Sequence, residues 1–145
     1  MSSVTQAQIL VAAPADQVFS VLTDLPSYPT WSSFDEVFVL DRDFAGRATK
    51  ACFEISRSSF KDSFTISIDY PDKFTMRWEL INGVNLKSLH GGYLVKVVDE
   101  NSSNVQYDVD LTLKNPLLNA MRKSAEKQMV DAALNQLKTK VESKE

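Results

Sequence analysis

Cysteine and histidine are almost absent from this chain of 145 residues, which contains one of each, Cys52 and His90. A single cysteine excludes an intrachain disulfide and a cysteine-based metal cluster. One histidine argues against a histidine metal site and leaves no second histidine to orient a nucleophile. We therefore expect no metal and no cofactor. The composition suits a reducing compartment, and we expect a cytoplasmic protein.

Positive charge is absent from the first part of the chain, where no lysine or arginine precedes Arg42, and the net charge is −3. The apolar stretch ILVAAPA at residues 9–15 therefore lacks the basic flank of a secretion signal. No apolar run approaches the ~20 residues that span a bilayer, so we expect no stable membrane insertion. An acidic chain without a basic field is not expected to bind nucleic acid.

Alternation of polar and apolar residues dominates the middle of the chain. It is clearest in VQYDVDLTL, residues 105–113, where every second residue is apolar. One-sided strands in succession predict an antiparallel sheet with one covered face, and Asn82-Gly83 predicts a tight hairpin turn. The predicted strands are 4–12, 35–43, 49–57, 63–70, 73–80, 86–98 and 105–113.

Helices are predicted at two places. Pro14 marks the start of the first, which Pro26 and Pro29 end, and the aromatic stretch SYPTW at 27–31 follows. Asn115-Pro116 predicts an N-cap and first turn of a second helix that continues unbroken to about Ser143. Glu126 is expected on its solvent side. Its apolar stripe is predicted to contain Leu118, Met121, Ala125, Met129, Ala132, Ala133, Leu137 and Val141.

This stripe has two interpretations. Small residues such as Ala125 and Ala132 permit close packing of helix on sheet, whereas flexible Met129 suits the irregular wall of a cavity. Residue types alone leave both open.

The chain resembles the START-like, Bet v 1-type superfamily, and within it the polyketide cyclase/dehydrase branch. The resemblance rests on the opening strand, on VAAPADQVFSVLTDLPSYPTW, on Gly91-Gly92-Tyr93 and on the final helix that begins at Asn115-Pro116. It implies one domain over residues 1–145 with a helix-grip fold of α+β class. In that fold a seven-stranded curved antiparallel sheet wraps around a long C-terminal helix, with two short helices after the first strand. SYPTW would form the second short helix, with Tyr28 and Trp31 at one end of an apolar cavity.

Candidate catalytic groups are few. Strict alternation places His90 on the solvent side unless a bulge at Gly91-Gly92 turns it inward. Asp108 and Asp110 are most simply solvent-facing, as is Arg77. Tyr93 and Tyr107 share faces with apolar residues, and their hydroxyls are expected either to bond a main-chain carbonyl or to contact a ligand oxygen.

These observations favour binding, with transport possible, of a small hydrophobic or aromatic ligand such as a lipid or polyketide. A polyketide cyclase/dehydratase-type enzyme and a protein-interaction module are the alternatives, and no protein partner or catalytic residue is identified. The predicted ligand-binding residues, which would line the cavity, are Tyr28, Trp31, Phe64, Ile66, Met76, Trp78, Tyr93, Tyr107, Val109, Met121, Ala125 and Met129.

Overall fold

A computed structural model describes residues 4–57 and 60–143. Within these residues the helices are α1 (Ala15–Thr23), a 3-10 helix (Leu25–Thr30), α2 (Pro116–Asn119) and α3 (Arg122–Glu142). The strands are β1 (Thr5–Val11), β2 (Glu36–Arg42), β3 (Ala48–Arg57), β4 (Phe60–Asp69), β5 (Thr75–Gly83), β6 (Leu86–Asp99) and β7 (Ser102–Leu113).

All seven strands join one antiparallel sheet in the order β1-β7-β6-β5-β4-β3-β2. The first strand closes onto the last because β1 pairs with β7 from Thr5↔Val109 to Val11↔Ser103. One face carries the buried side chains, as the strict alternation of burial along β7 shows. The predicted helix-grip fold, with its seven-stranded sheet, two short helices and long final helix, is confirmed.

The final helical region differs from the prediction of one unbroken helix. A turn at Ala120 and Met121 separates α2 from α3. Asn115 caps α2 as predicted, by accepting the N–H groups of Leu117 and Leu118. The carboxamide oxygen of Asn119 accepts the N–H of Leu113, which ties α2 to the end of β7. This contact, between residues six positions apart, holds α2 against the end of β7.

Glu126 is the second correction, because its side chain is fully buried rather than solvent-facing. Its carboxylate accepts hydrogen bonds from Thr5 Oγ1 at 2.6 Å and from the N–H of Leu111 at 2.8 Å. Lys123 Nζ lies 3.2 Å from the same carboxylate. Glu126 thus joins α3 to the two strands beneath it.

The hairpin between β5 and β6 is not the tight turn predicted at Asn82-Gly83. Strand β5 continues through Gly83, and the chain reverses at Val84 and Asn85. The buried carboxylate of Asp62 on β4 accepts the N–H groups of Val84, Asn85 and Leu86. In a two-residue turn the main-chain carbonyls of the hairpin would accept these N–H groups. Here the Asp62 carboxylate accepts them instead, which stabilises a wider turn.

Gly91 and Gly92 face opposite sides of the sheet, so at this point β6 has no side chain on either face. On the outer face, Arg77 reaches across Gly92 to pair with Asp108, with NH1–Oδ1 and NH2–Oδ2 distances of 2.5 and 3.1 Å. A Cβ at Gly92 would lie 2.8 Å from Arg77 Cδ. The glycine pair is therefore a crossing point for larger neighbours, and the register of β6 with β7 shows no bulge there.

Candidate functional site: a cavity between the sheet and α3

The cavity arises because the helices cover opposite ends of the sheet. Helix α3 packs mainly on β1 and β7, and the 3-10 helix packs on β2. The inner face of the central strands lies between them. Here the structure contains an apolar cavity of about 190 Å³, adjoined by a smaller compartment of about 50 Å³. Of the two interpretations that the sequence left open, the structure shows a cavity beside a packed core.

Tyr28 and Trp31 stand at the 3-10 helix end of this cavity. Tyr28 is buried, and its hydroxyl donates to the main-chain carbonyl of Leu22, which fixes the 3-10 helix against α1. Its ring centroid lies 5.0 Å from that of Trp31 and 6.2 Å from that of Phe53 on β3. Tyr28 therefore both anchors the 3-10 helix to the sheet and contributes to the cavity wall.

The opening is closed by one polar contact. Gln136 Nε2 on α3 donates to Ser33 Oγ, at 2.9 Å, in the loop after the 3-10 helix. Both residues line the larger compartment, together with Ser32 and Gln128. This hydrogen bond joins the two elements that a ligand would have to pass.

Three aromatic side chains form the inner wall. The rings of Tyr93 and Tyr107, a cross-strand pair, are stacked with centroids 4.6 Å apart. Trp78 on β5 lies edge-on to both, at 5.5 and 5.7 Å. Trp78 is paired with Gly91 on β6, and its indole contacts Tyr107 on the strand beyond.

The hydroxyls divide the four tyrosines of the chain into two classes. Tyr28 and Tyr70 donate to the carbonyls of Leu22 and Ala48. Tyr93 and Tyr107 are 5% and 7% exposed and line both compartments, yet their hydroxyls have no hydrogen bond to any described residue. The carbonyl partner that a core tyrosine usually takes is therefore missing from both.

Burial also sets the protonation of this pair. Desolvation raises the pKa of Tyr93, with a further increase from the neighbouring Tyr107. Desolvation likewise raises the pKa of Tyr107, to which the charge of Asp108 adds. Both phenols are consequently neutral at physiological pH and able to donate a hydrogen bond.

The structure brings together ten of the twelve residues predicted to line the cavity. Val109 is buried in the sheet beside Gly91 and lines neither compartment. Met121 lies in the turn before α3 and is 67% exposed, because the break in the helix removes it from the stripe. The larger compartment includes Tyr28, Trp31, Tyr93, Tyr107, Ala125 and Met129, and the smaller adds Phe64, Ile66, Met76 and Trp78.

Several lining residues were not predicted from the sequence. Phe53 and Ile55 alternate along β3, so the signal existed, but the sequence did not settle which face of that strand points inward. Phe34 follows SYPTW and packs against Phe53, with ring centroids 4.7 Å apart and the ring planes tilted by 59°. The remaining unpredicted residues are Ser32, Ser33, Leu89, Gln128, Ala132, Ala133 and Gln136.

The ionisable candidates lie away from the cavity. His90 is on the outer face, with Nε2 3.3 Å from Asp110 Oδ2, and Asp108 is paired with Arg77 there. Among the described residues, neither compartment is lined by a charged side chain. Residues 4–57 and 60–143 also contain no group of three or more His, Cys, Asp or Glu side chains that could hold a metal ion. No helix in this part of the chain is both long and apolar enough to cross a membrane.

Solved structures share this architecture. A START superfamily protein from Mycobacterium smegmatis aligns with a TM-score of 0.89 at 21% identity, covering 96% of this chain and 97% of its own. The Zhui aromatase/cyclase from Streptomyces sp. R1128 aligns with a TM-score of 0.83 at 15% identity, covering 96% and 93%. Norcoclaurine synthase from Thalictrum flavum, in complex with dopamine and hydroxybenzaldehyde, aligns with a TM-score of 0.72 at 13% identity, covering 96% and 86%. At these identities the likeness establishes the fold.

Sequence comparison supplies the family. No curated protein sequence matches the chain. The family model described as polyketide cyclase / dehydrase and lipid transport matches residues 11–138, which is most of the chain. The protein therefore belongs to the polyketide cyclase/dehydrase and lipid transport family.

Proposed function

We propose that this protein binds a small, neutral hydrophobic or aromatic molecule in the cavity between the sheet and α3. The observation that carries the proposal is an apolar cavity of about 190 Å³ inside a well-packed core, with aromatic walls and no charged lining among the described residues. Protein interiors rarely retain such voids, because each one forfeits packing contacts. A ligand would restore those contacts.

The volume limits the size of the ligand. A dry apolar cavity of about 150 Å³ in another protein takes up benzene. The larger compartment here therefore suits one aromatic ring with substituents, or a compact fused pair. Burying about 200 Å² of apolar ligand surface contributes roughly 5 kcal/mol before the cost of association. Binding by apolar contact alone is accordingly expected to be weak, with a dissociation constant of about 0.2 mM or higher.

Binding is favoured over catalysis by the groups that reach the cavity. A cyclase or dehydratase needs a positioned acid or base with a pKa near the working pH. The raised pKa values of Tyr93 and Tyr107 make these phenols weaker acids than free tyrosine. No carboxylate, imidazole or amine among the described residues lines either compartment.

A cavity-filling variant tests the proposal. Indane, a compact bicyclic hydrocarbon, is titrated into the protein by calorimetry, and the protein as purified is analysed by native mass spectrometry before and after solvent extraction. Ala132→Phe places a ring in the cavity and should abolish indane binding and remove any co-purified small molecule. Asn135→Phe adds the same ring at an exposed position of α3 and should leave both unchanged. Indane binding that survives Ala132→Phe, or no uptake by the wild-type protein, would refute the assignment.

A further inference from the structure

The polar atoms of the inner wall restrict which neutral molecules the cavity accepts, and this inference rests on the function proposed above. The polar side chains Ser32, Ser33, Gln128 and Gln136 line the larger compartment, and the hydroxyls of Tyr93 and Tyr107 are the polar groups that line both compartments on the sheet side. These are the two tyrosines whose hydroxyls have no partner among the described residues. Both hydroxyls border the cavity without a protein partner, so a ligand group that accepts a hydrogen bond from each would stabilise the complex.

We propose that Tyr93 and Tyr107 form a two-donor site that recognises the carbonyl oxygen of a neutral aromatic ketone or quinone. A carbonyl oxygen has two lone pairs and can accept one hydrogen bond from each phenol. The stacked rings, 4.6 Å apart, project from adjacent strands into the same cavity, which brings both hydroxyls to one ligand. The flat aromatic part of the ligand would lie in the larger compartment, against Met129 and Ala132 of α3.

Two further observations indicate that the ligand carries a hydrogen-bond acceptor and no charge. The indole Nε1 of Trp31, which also lines the larger compartment, is buried without a hydrogen-bond partner. An indole N–H can only donate, so this end of the cavity likewise lacks an acceptor rather than a donor. The absence of a charged side chain from the described lining makes burial of a carboxylate or ammonium group unfavourable, so the ligand is neutral.

The probes are 1-indanone and indane, which share one skeleton and differ by a carbonyl in place of a methylene. Each is titrated by calorimetry into wild type, Tyr93→Phe, Tyr107→Phe and the double variant. Loss of one hydrogen bond should weaken 1-indanone binding about 5-fold, and loss of both about 25-fold. Indane binding should change less than about 2-fold in every variant. This selectivity separates a recognition role from a packing role, which would affect both probes.

Tyr70→Phe is the matched control, because Tyr70 donates to Ala48 and lines neither compartment. It should leave the affinities for both probes unchanged. The anion indane-1-carboxylate should not bind the wild-type protein. If both neutral probes bind with sensitivity to Ala132→Phe but the tyrosine variants do not weaken 1-indanone selectively, the ketone inference is refuted and the binding function stands. If neither probe binds the wild-type protein, both are refuted.

Discussion

Replacing Glu126 by alanine should lower the free energy of unfolding by about 2–4 kcal/mol, because its carboxylate is the acceptor for one buried and one half-buried donor. The structure supplies the reasons. Glu126 is fully buried and accepts the buried N–H of Leu111 and the hydroxyl of Thr5. Truncation leaves both donors without this acceptor, at about 1–3 kcal/mol for a buried group and less for the half-buried hydroxyl. The ammonium of Lys123 also loses its partner.

The assay is urea unfolding followed by circular dichroism and by tryptophan fluorescence. Glu126→Gln keeps the shape and can keep both contacts, because its amide oxygen accepts the N–H of Leu111 while its N–H₂ donates to Thr5 Oγ1, so a loss of less than about 1 kcal/mol is expected. The matched control is Asp131→Ala on the same helix. Asp131 pairs with Lys127 in solvent at 3.1 Å, and its loss should change stability by less than about 1 kcal/mol.

A double-mutant cycle isolates the contact between helix and strand. Thr5→Val combined with Glu126→Ala should show a coupling energy of about 1 kcal/mol, since the two side chains share a 2.6 Å hydrogen bond. The reasoning is refuted if Glu126→Ala unfolds within 1 kcal/mol of wild type, or if the two substitutions are additive. Either result would mean that Glu126 does not anchor α3 on β1 and β7.

Three other outcomes are expected. Asp62→Asn should lose about 1–3 kcal/mol of unfolding free energy, because the new amide N–H₂ opposes a main-chain N–H that the carboxylate now accepts; an unchanged urea midpoint would contradict this. Gly91→Ala should destabilise by at least about 2 kcal/mol, since its Cβ would lie 2.2 Å from the Asp108 carbonyl oxygen, whereas Gly46→Asn at an open turn position with φ of 84° should cost less than about 1 kcal/mol. Burial raises the pKa of Tyr70 to about 12, so its contribution to stability is complete below pH 10 and is lost as pH rises toward 12. Tyr70→Phe should flatten this alkaline decline in melting temperature, and an unaltered decline would exclude Tyr70 as its source.

Local patterns were sufficient for much of the fold. Alternation with a period of two specifies a strand and its buried face at once, and the strand at 105–113 is buried on the side that its sequence indicates. Asn115 signals its helix start through its own side chain. His90 faces outward because the alternation continues through Gly91-Gly92 without a bulge.

The features that define the candidate site depend on contacts between distant segments. Glu126 has the sequence context of a solvent-facing residue, and only its partners on β1 and β7 make its burial favourable. The turn at Met121 accompanies the docking of α2 on the end of β7, a local contact that the apolar spacing of the helix does not indicate. Phe34 and Phe53 meet because the 3-10 helix packs at the far end of the sheet.

The cavity shows most clearly which features the sequence determined and which depended on the tertiary structure. The sequence by itself specified a one-sided antiparallel sheet, a long helix with small and flexible residues, and aromatic side chains directed between them. It left open whether these surfaces meet or stand apart, because a side chain's residue type fixes its volume but not the space available to it. The tertiary structure decided this by placing α3 over β1 and β7 and the 3-10 helix over β2. The space between the two supports leaves the hydroxyls of Tyr93 and Tyr107 without a protein partner among the described residues.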